Sequence, residues 1–575
     1  MKKLIIIYSV IVIILGSTHV SYAKKHSVPI PEFDGDINQS YVIMSDQDFD
    51  EELGQVPLPD SPTREALEDT SFVIVNQPVN KTGSPVLAVL KTAKNSIYIK
   101  DIEVEGYELL TDDEIKSATS KYKGKSLSKE DFLQIVQDIN KIYANYNIAT
   151  AKAYIPAQSL TGSVLKIKVV EGKIEKLNVV GNKYTRSIYI KNAISQKEGD
   201  IIYIPEIRDQ LLKFNKNSDI KLKAYINPGT KFGTSDVTIA VNEQKPYHAG
   251  LSFDNTGNTL IGTLKEGITL EHDSLLGFRD RLALNYSRTR SSNSYFGSYS
   301  VPIGYNGLRV GGLYNYAPLK ITSGELEDLD VEGRTHTYSI FVTKPIINET
   351  NFLLSSTLSL NHKRSTTYLD NQSLEDIMGI PATIVSSTDL NLTAVKTDRY
   401  GQWIHSSDFA VGARALNANC SFFKYAGNLI RFQNLGHNIQ LLLKANMQLA
   451  AEELPSLEKF QAGGIYTVRG YSEGYLLGDN GYLLGSELRF PLFILPEKIG
   501  SFALRKRVQG VTFFDAGGAF QKDQDKSNLV GIGGGLRIKL SRFLVGRLDY
   551  GFGLINRAEN ASAAKFYFGI DSTPF

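Results

Sequence analysis

Arg469 sits in the stretch GGIYTVRGYSEG (463–474), between Val468 and Gly470 and close to Tyr466 and Tyr471. A guanidinium in a glycine-rich, aromatic turn has three uses. It holds a phosphate, it pairs with a carboxylate elsewhere in the chain, or it faces water. Other candidates for chemistry are sparse. The chain has no His-Glu-x-x-His or Walker A pattern. GIGGG (531–535) is glycine-rich, but it lies inside an alternating strand, where it reads as room for close packing. Glu271, His272 and Asp273 are adjacent titratable groups and read as a strand end or loop. Cys420 is the only cysteine, so an intrachain disulfide and Cys-x-x-Cys zinc sites are excluded. No catalytic, cofactor-binding or metal residues are expected, and the chain is not read as an enzyme.

The elements that position Arg469 follow from periodicity. From about residue 246 apolar and polar residues alternate with period two. In FLVGRLDYGFGL (543–554), Leu544, Leu548, Tyr550, Phe552 and Leu554 share one face, and Arg547 and Asp549 the other. NLVGIGGGLRIKL (528–540) sets Val530, Ile532, Leu536, Ile538 and Leu540 against Arg537 and Lys539. DRLALNYSR (280–288) repeats the pattern. In a soluble sandwich the apolar face meets a second sheet; in a transmembrane barrel it meets lipid, and the charged face lines a wet lumen. About 10 residues per tilted strand plus turns gives about 16 strands for residues 246–575, which favours the barrel. The alternation breaks at Asp571 and Pro574 precedes Phe575, so the last strand is expected to end early.

Residues 97–243 read instead as two units of order β-α-α-β-β. IYIKDIEVEG (97–106), a capped helix at TDDEIKSAT (111–119), a helix within 127–147, and strands at 150–158 and 162–172 make the first. KIEKLNVVGN (173–182), helices at 185–195 and 204–217, and strands at 220–229 and 234–244 make the second. The offset of about 75 residues marks a duplicated α+β domain. Residues 24–95 are acidic at Asp46, Asp48, Asp50, Glu51 and Glu52, then proline-containing, and read as a linker with a short helix at SPTREALED (61–69). Residues 1–23 form a signal peptide: Lys2 and Lys3, an apolar run from Leu4 to Leu15, and cleavage after Ala23.

The chain has 575 residues, 42% hydrophobic and 22% charged, with a net charge of +2. That balance gives no reason to expect nucleic acid as a partner. Tyr and Gly are plentiful, at 30 and 48, which suits a β-rich protein. After Ala23 no run of about 18 apolar residues occurs, so a membrane-spanning region must be a closed barrel.

This arrangement resembles the TpsB transporters of two-partner secretion, the ShlB/FhaC/HecB-like proteins, within the BamA-like superfamily that carries POTRA domains. IYANYNIATAKAYIPAQSLTGSVLKIKVVEGKI (142–174) is similar to the end of the family's first POTRA domain. LSFDNTGN (251–258) and YSVPIG (299–304) are similar to its barrel strands. VRGY (468–471) matches the superfamily's signature in the sixth extracellular loop, and FFDAG (513–517) matches Phe-x-Asp-x-Gly on a barrel strand. The resemblance implies domains at 96–173 and 174–245 (POTRA) and at 246–575 (barrel), in the bacterial outer membrane with the POTRA domains in the periplasm. It implies a lock in which Arg469 meets Asp515, built from Val468, Arg469, Gly470, Tyr471, Phe513, Asp515 and Gly517. The physics agrees: a guanidinium forms a bidentate bond to a carboxylate that lysine does not copy.

The resemblance further implies a partner, a secreted TpsA-like haemolysin or adhesin, taken up unfolded by β-augmentation and secreted without ATP. The first POTRA unit offers an edge at Ala151, Lys152, Ala153, Tyr154 and Ile155, beside a helix with Ile135 and Ile139. Outer membrane lipid and, during biogenesis, the barrel assembly machinery are the other implied partners. A BamA-like insertase is the alternative, and a passive porin a third reading. The family often plugs its barrel with an N-terminal helix, but residues 24–95 carry no long amphipathic one.

Overall fold

The computed structural model describes Phe72–Ile74 and residues 96–572, apart from 159, 324–326, 493, 497–503, 522–526, 542 and 557–563. The expected signal peptide, its cleavage after Ala23 and the helix at 61–69 lie outside the described residues. Two compact units divide the chain between Gln244 and Lys245.

In the first unit, β1 (Phe72–Ile74) lies within the stretch read as a linker. β2 (Ile97–Ile99) and β3 (Asp101–Glu105) precede α1 (Asp112–Thr119), β4 (Lys125–Leu127) and α2 (Lys129–Asn145). Thr111 and Ser128 cap the two helices in reciprocal boxes with Glu114 and Asp131. The apolar stripe of α2 (Phe132, Ile135, Ile139 and Tyr143) is buried. It packs on β6 (Val164–Val170), which stands between β3 and the short β5 (Lys152–Tyr154). Strand β5 is therefore an edge.

A second sheet follows from β7 (Lys173–Val180), α3 (Ser187–Lys191), α4 (Ile204–Asn217), β8 (Lys221–Pro228) and β9 (Thr234–Asn242). Its order is β1-β8-β9-β7, so Phe72–Ile74 adds a parallel strand to the β8 edge.

The second unit is a closed antiparallel barrel. Its staves begin with β10 (Tyr247–Asp254), β11 (Lys265–His272), β12 (Arg281–Arg288), β13 (Asn293–Pro302), β14 (Arg309–Lys320), β15 (Val331–Asn348) and β16 (Phe352–Leu369). The two-residue β17 (Gln372–Ser373) extends a loop before β18 (Thr383–Asp398), β19 (Gly401–Gly412), β20 (Phe422–Gly436) and β21 (Ile439–Ala450). The small hairpin of β22 (Phe460–Ala462) and β23 (Leu476–Gly478) lies between β21 and β24 (Asn480–Pro491). The wall closes through β25 (Val508–Phe520), β26 (Ser527–Lys539), β27 (Leu544–Gly553) and β28 (Ala564–Ser572). Leaving out β17, sixteen staves form the wall.

Burial along the strands is inverted relative to a water-soluble protein. On β15 the polar Thr335, Thr337 and Ser339 are buried, whereas Tyr338 and Ile340 are 50% and 64% exposed. Leu358, Leu360, Tyr550 and Phe552 are likewise exposed, and Asp549 is buried. Apolar side chains on the outside and polar ones inside suit lipid as the outer solvent. The last strand, β28, passes through Asp571 to Ser572, because backbone pairing with Val545 and Ser252 continues where the side-chain alternation stops. Among the described residues the closing seam is short: β10 pairs with β28 at Ser252–Asp571, Phe253–Ile570 and Asp254–Gly569, flanked by bonds from Leu251 N to Ser572 Oγ and from Asn255 N to the Phe568 carbonyl.

Candidate functional site: a loop clamped inside the barrel

The connection from β21 to β24 is the sixth loop at the end of the barrel where β10 finishes. It folds inward. Val468 and Tyr471 are buried with Ala462, Leu483 and Leu529. The period of two along β25 turns Phe513, Asp515 and Gly517 toward the lumen and leaves Phe514 outside.

Arg469 is 7% exposed and Asp515 2%. Asp515 Oδ2 accepts from Arg469 Nε at 2.7 Å and from its backbone N at 3.2 Å, and Oδ1 accepts from Nη2 at 3.0 Å. This is a side-on bidentate pair, and the Arg469 guanidinium stacks on Phe513, 3.5 Å from the ring centroid. Of the uses open to an arginine in such a turn, the structure therefore has carboxylate pairing.

The remaining donor, Nη1, reaches Glu487 Oε2 on β24 at 2.7 Å. Glu487 also accepts from Arg489 Nε at 2.9 Å and from Arg537 Nη2 at 3.1 Å, and Arg537 Nη1 reaches Asp549 Oδ1 at 2.8 Å. Three arginines thus meet three carboxylates in one network. Glu487, Arg489, Arg537 and Asp549 were not identified as partners from sequence. Alternation over 485–489 places Gly485, Glu487 and Arg489 on one face, and Arg537 and Asp549 lie on the charged faces of their strands. Strand register, which brings Gly485 opposite Asp515 and Gly535 opposite Asp549, completes the network.

The wall beneath the loop is stripped of side chains. A Cβ on Gly531 would lie 2.0 Å from the Arg469 carbonyl oxygen. Gly470 has φ +98°, and a Cβ there would meet the Gly553 nitrogen at 2.4 Å. The loop also reaches the last strands. Gly470 N donates to Tyr567 Oη at 3.1 Å, and Tyr567 Oη donates to the Tyr471 carbonyl at 3.0 Å. Arg547 Nη2 donates to Tyr466 Oη at 2.8 Å.

In the first unit, Ile135, Ile139, Ala153 and Ile155 belong to the hydrophobic core, so their side chains face away from any incoming chain. The edge itself presents backbone, Lys152 and the partly buried Tyr154, with Ala151 half-buried beside it. Ala153 N already donates to Asn140 Oδ1 of α2 at 2.7 Å. Tyr154 meets Phe232 edge-on at 6.4 Å, and Phe232, from the β8–β9 turn, is 84% exposed. That turn is gathered by Glu175, whose carboxylate accepts from Thr230 and Thr234 hydroxyls and from Lys231 N. Those bonds, first the Thr230 and Thr234 hydroxyls, hold the Glu175 carboxyl down at about 2. Among the described residues, no cluster of His, Cys, Asp and Glu is arranged to hold a metal ion.

Comparison with known proteins agrees with this architecture. The model of the haemolysin secretion/activation protein family ShlB/FhaC/HecB matches residues 233–538, and a ShlB-type POTRA domain matches 97–172. The heme/hemopexin transporter protein HuxB of Haemophilus influenzae is 23% identical over 500 residues, covering 83% of this chain and 86% of its own. Among solved structures, CdiB from Acinetobacter baumannii is 19% identical with a TM-score of 0.56, covering 92% of this chain and 96% of its own. BamA from Haemophilus ducreyi, lacking POTRA domains 1–3, is 16% identical with a TM-score of 0.52, covering 84% and 100%. At those identities the two structures attest the fold alone. The family match spans more than half of the chain: this protein belongs to the ShlB/FhaC/HecB family of haemolysin secretion/activation proteins.

Proposed function

We propose that the protein captures an unfolded, TpsA-like exoprotein in the periplasm and secretes it through its own barrel. The observation that carries this reading is a short edge strand, β5, in the POTRA region of a chain whose barrel holds a clamped loop. The protein is an outer membrane transporter with its POTRA units in the periplasm. Its outward apolar face meets lipid, and the barrel assembly machinery inserts it during biogenesis. The family's description, haemolysin secretion/activation proteins, supports a secreted protein as cargo here.

Capture proceeds by β-augmentation at β5. Backbone pairing reads little sequence, which suits a partner that arrives unfolded. The Asn140 amide withdraws from Ala153 N as the incoming carbonyl replaces it. Arg469, Asp515 and Phe513, with Val468, Gly470, Tyr471 and Gly517 around them, form the lock that keeps the loop in the lumen until cargo engages. No catalytic step is required of any residue, since folding of the cargo outside supplies direction.

The test is secretion. Deleting this chain while the exoprotein encoded beside it is expressed should remove that exoprotein from the medium. Unchanged secretion refutes the reading. A role in inserting other barrels is the second reading, favoured by the three-pair seam between β10 and β28. In that case deletion would instead deplete other outer membrane barrels.

A further inference from the structure

The sixth loop touches the lumen wall at a second place, well removed from Arg469. Just beyond β21, Leu454 and Leu457 are buried against Val385 of β18, Ala410 of β19 and Phe422 of β20. Beside them Glu458 is 6% exposed. Its Oε1 accepts from Lys363 Nζ of β16 at 2.6 Å, and its Oε2 accepts from Lys424 Nζ of β20. Both lysine side chains are largely buried. Gln448 Nε2 of β21 donates to the carbonyls of Glu458 and Asp479, each at 3.0 Å, tying the loop's entry to its exit. The Asp479 carboxylate accepts from Leu454 N at 3.0 Å and lies 3.4 Å from Lys459 Nζ.

The two attachments share no strand. Arg469 and its neighbours are held by β24 to β28, whereas Glu458 is held by β16 to β21. The loop is therefore slung between the two halves of the wall that flank its own hairpin. Taking Glu458 and two lysines out of water together is costly, and a well-attested use of such buried ion pairs is to fix one arrangement. Here the arrangement they fix is the position of the loop base.

We propose that Glu458 is a second, independent anchor of the sixth loop, a positioning residue that keeps the loop base across the lumen after the Arg469–Asp515 lock has opened. Opening the pore fully then requires both anchors to release. This rests on the reading that the loop lies in the transport path, but its test does not need cargo.

The full chain is reconstituted in planar lipid bilayers as wild type, Asp515→Asn, Glu458→Gln and the double variant. Heat-modifiable mobility on a gel shows that each barrel is folded. Each single variant should give brief, partial openings. The double should stay open about tenfold longer than either, the factor that one charge-assisted hydrogen bond is worth. A double variant that conducts like Asp515→Asn alone overturns the proposal. Labelling with an impermeant maleimide on whole cells decides the matter even if Glu458→Gln does not fold. Leu457→Cys, at a position 2% exposed, should in a Cys420→Ala chain stay protected when Asp515→Asn frees the loop tip. Rapid labelling of Leu457→Cys in that background overturns the proposal. Loss of secretion with a protected Leu457→Cys would count for the anchor, whereas failure of the transport reading shows only in the secretion assay.

Discussion

Replacing Arg469 by alanine isolates the energetics of the lock. Arg469 donates three bonds to Asp515, counting its backbone N–H, and one to Glu487. Glu487 keeps Arg489 and Arg537 when the guanidinium is gone, so the loss falls on Asp515, which is buried and left with the backbone N–H alone among these donors. Breaking a buried pair by removing one partner costs about 3–5 kcal/mol. The ratio of docked to undocked loop should therefore fall by roughly 10² to 10⁴. A cysteine at Thr467, in a Cys420→Ala chain, reports that ratio through its rate of maleimide labelling from outside the cell. Arg469→Ala should raise the rate by that factor, with equal amounts of folded barrel in the membrane, and should reduce secretion. Arg469→Lys keeps the charge but not the fork and should fall between. Adding Asp515→Ala to Arg469→Ala removes the stranded carboxylate and should speed labelling little further, because the two act as a unit. An unchanged rate in Arg469→Ala at equal barrel abundance would refute the reasoning.

Three further outcomes follow from other contacts. Gly531→Ala drives a methyl into the Arg469 carbonyl, so it should undock the loop tip while β26 still pairs, read as faster Thr467→Cys labelling from a heat-modifiable barrel; slow labelling would show that the wall gives way instead. Glu175 has a folded pKa of about 2 against an ordinary 4.5, so its support of the 230–234 turn is complete above pH 4.5 and is lost as pH falls through about 2. The protection factor of the Thr230 amide should stay high at pH 5 and fall toward pH 2, and a pH-independent protection factor would contradict this. Asn140→Ala leaves Ala153 N without its partner, so an extended N-terminal fragment of the exoprotein should bind the detergent-solubilised chain about fivefold tighter, the worth of about 1 kcal/mol. Unchanged anisotropy curves would place capture elsewhere.

The legible parts of this chain were those written in local periodicity. Tyr550 and Phe552 against Asp549 declared a two-sided strand, and the capped, apolar-striped helix of Phe132 to Tyr143 declared its own packing. That same helical stripe misdirects a search for binding residues. Ile135 and Ile139 recur at helical spacing because they fill a core, and the polar Asn140 between the faces is what touches the strand edge. The Arg469–Asp515 contact was legible through two motifs together, since neither names a partner alone. Glu487, Arg537 and Asp549 belong to the same network but are joined through strand register, which links positions tens of residues apart without a local pattern. Glu458 ends a single 3-10 turn, Ser456–Glu458, too short for any period to distinguish a buried carboxylate from a solvated one. The parallel pairing of Phe72–Ile74 with β8 is equally silent in sequence, because a strand of that length has no readable alternation.

The central claim, that cargo passes through the lumen, is most directly tested by photo-cross-linking during secretion. A photoreactive residue is placed either at Thr337, 2% exposed on the inner face of β15, or at the adjacent Tyr338, 50% exposed on the outer face. With the exoprotein in transit, the account predicts adducts between Thr337 and the exoprotein and none from Tyr338. Secretion that continues without any adduct from Thr337, or with equal adducts from both faces, would contradict it.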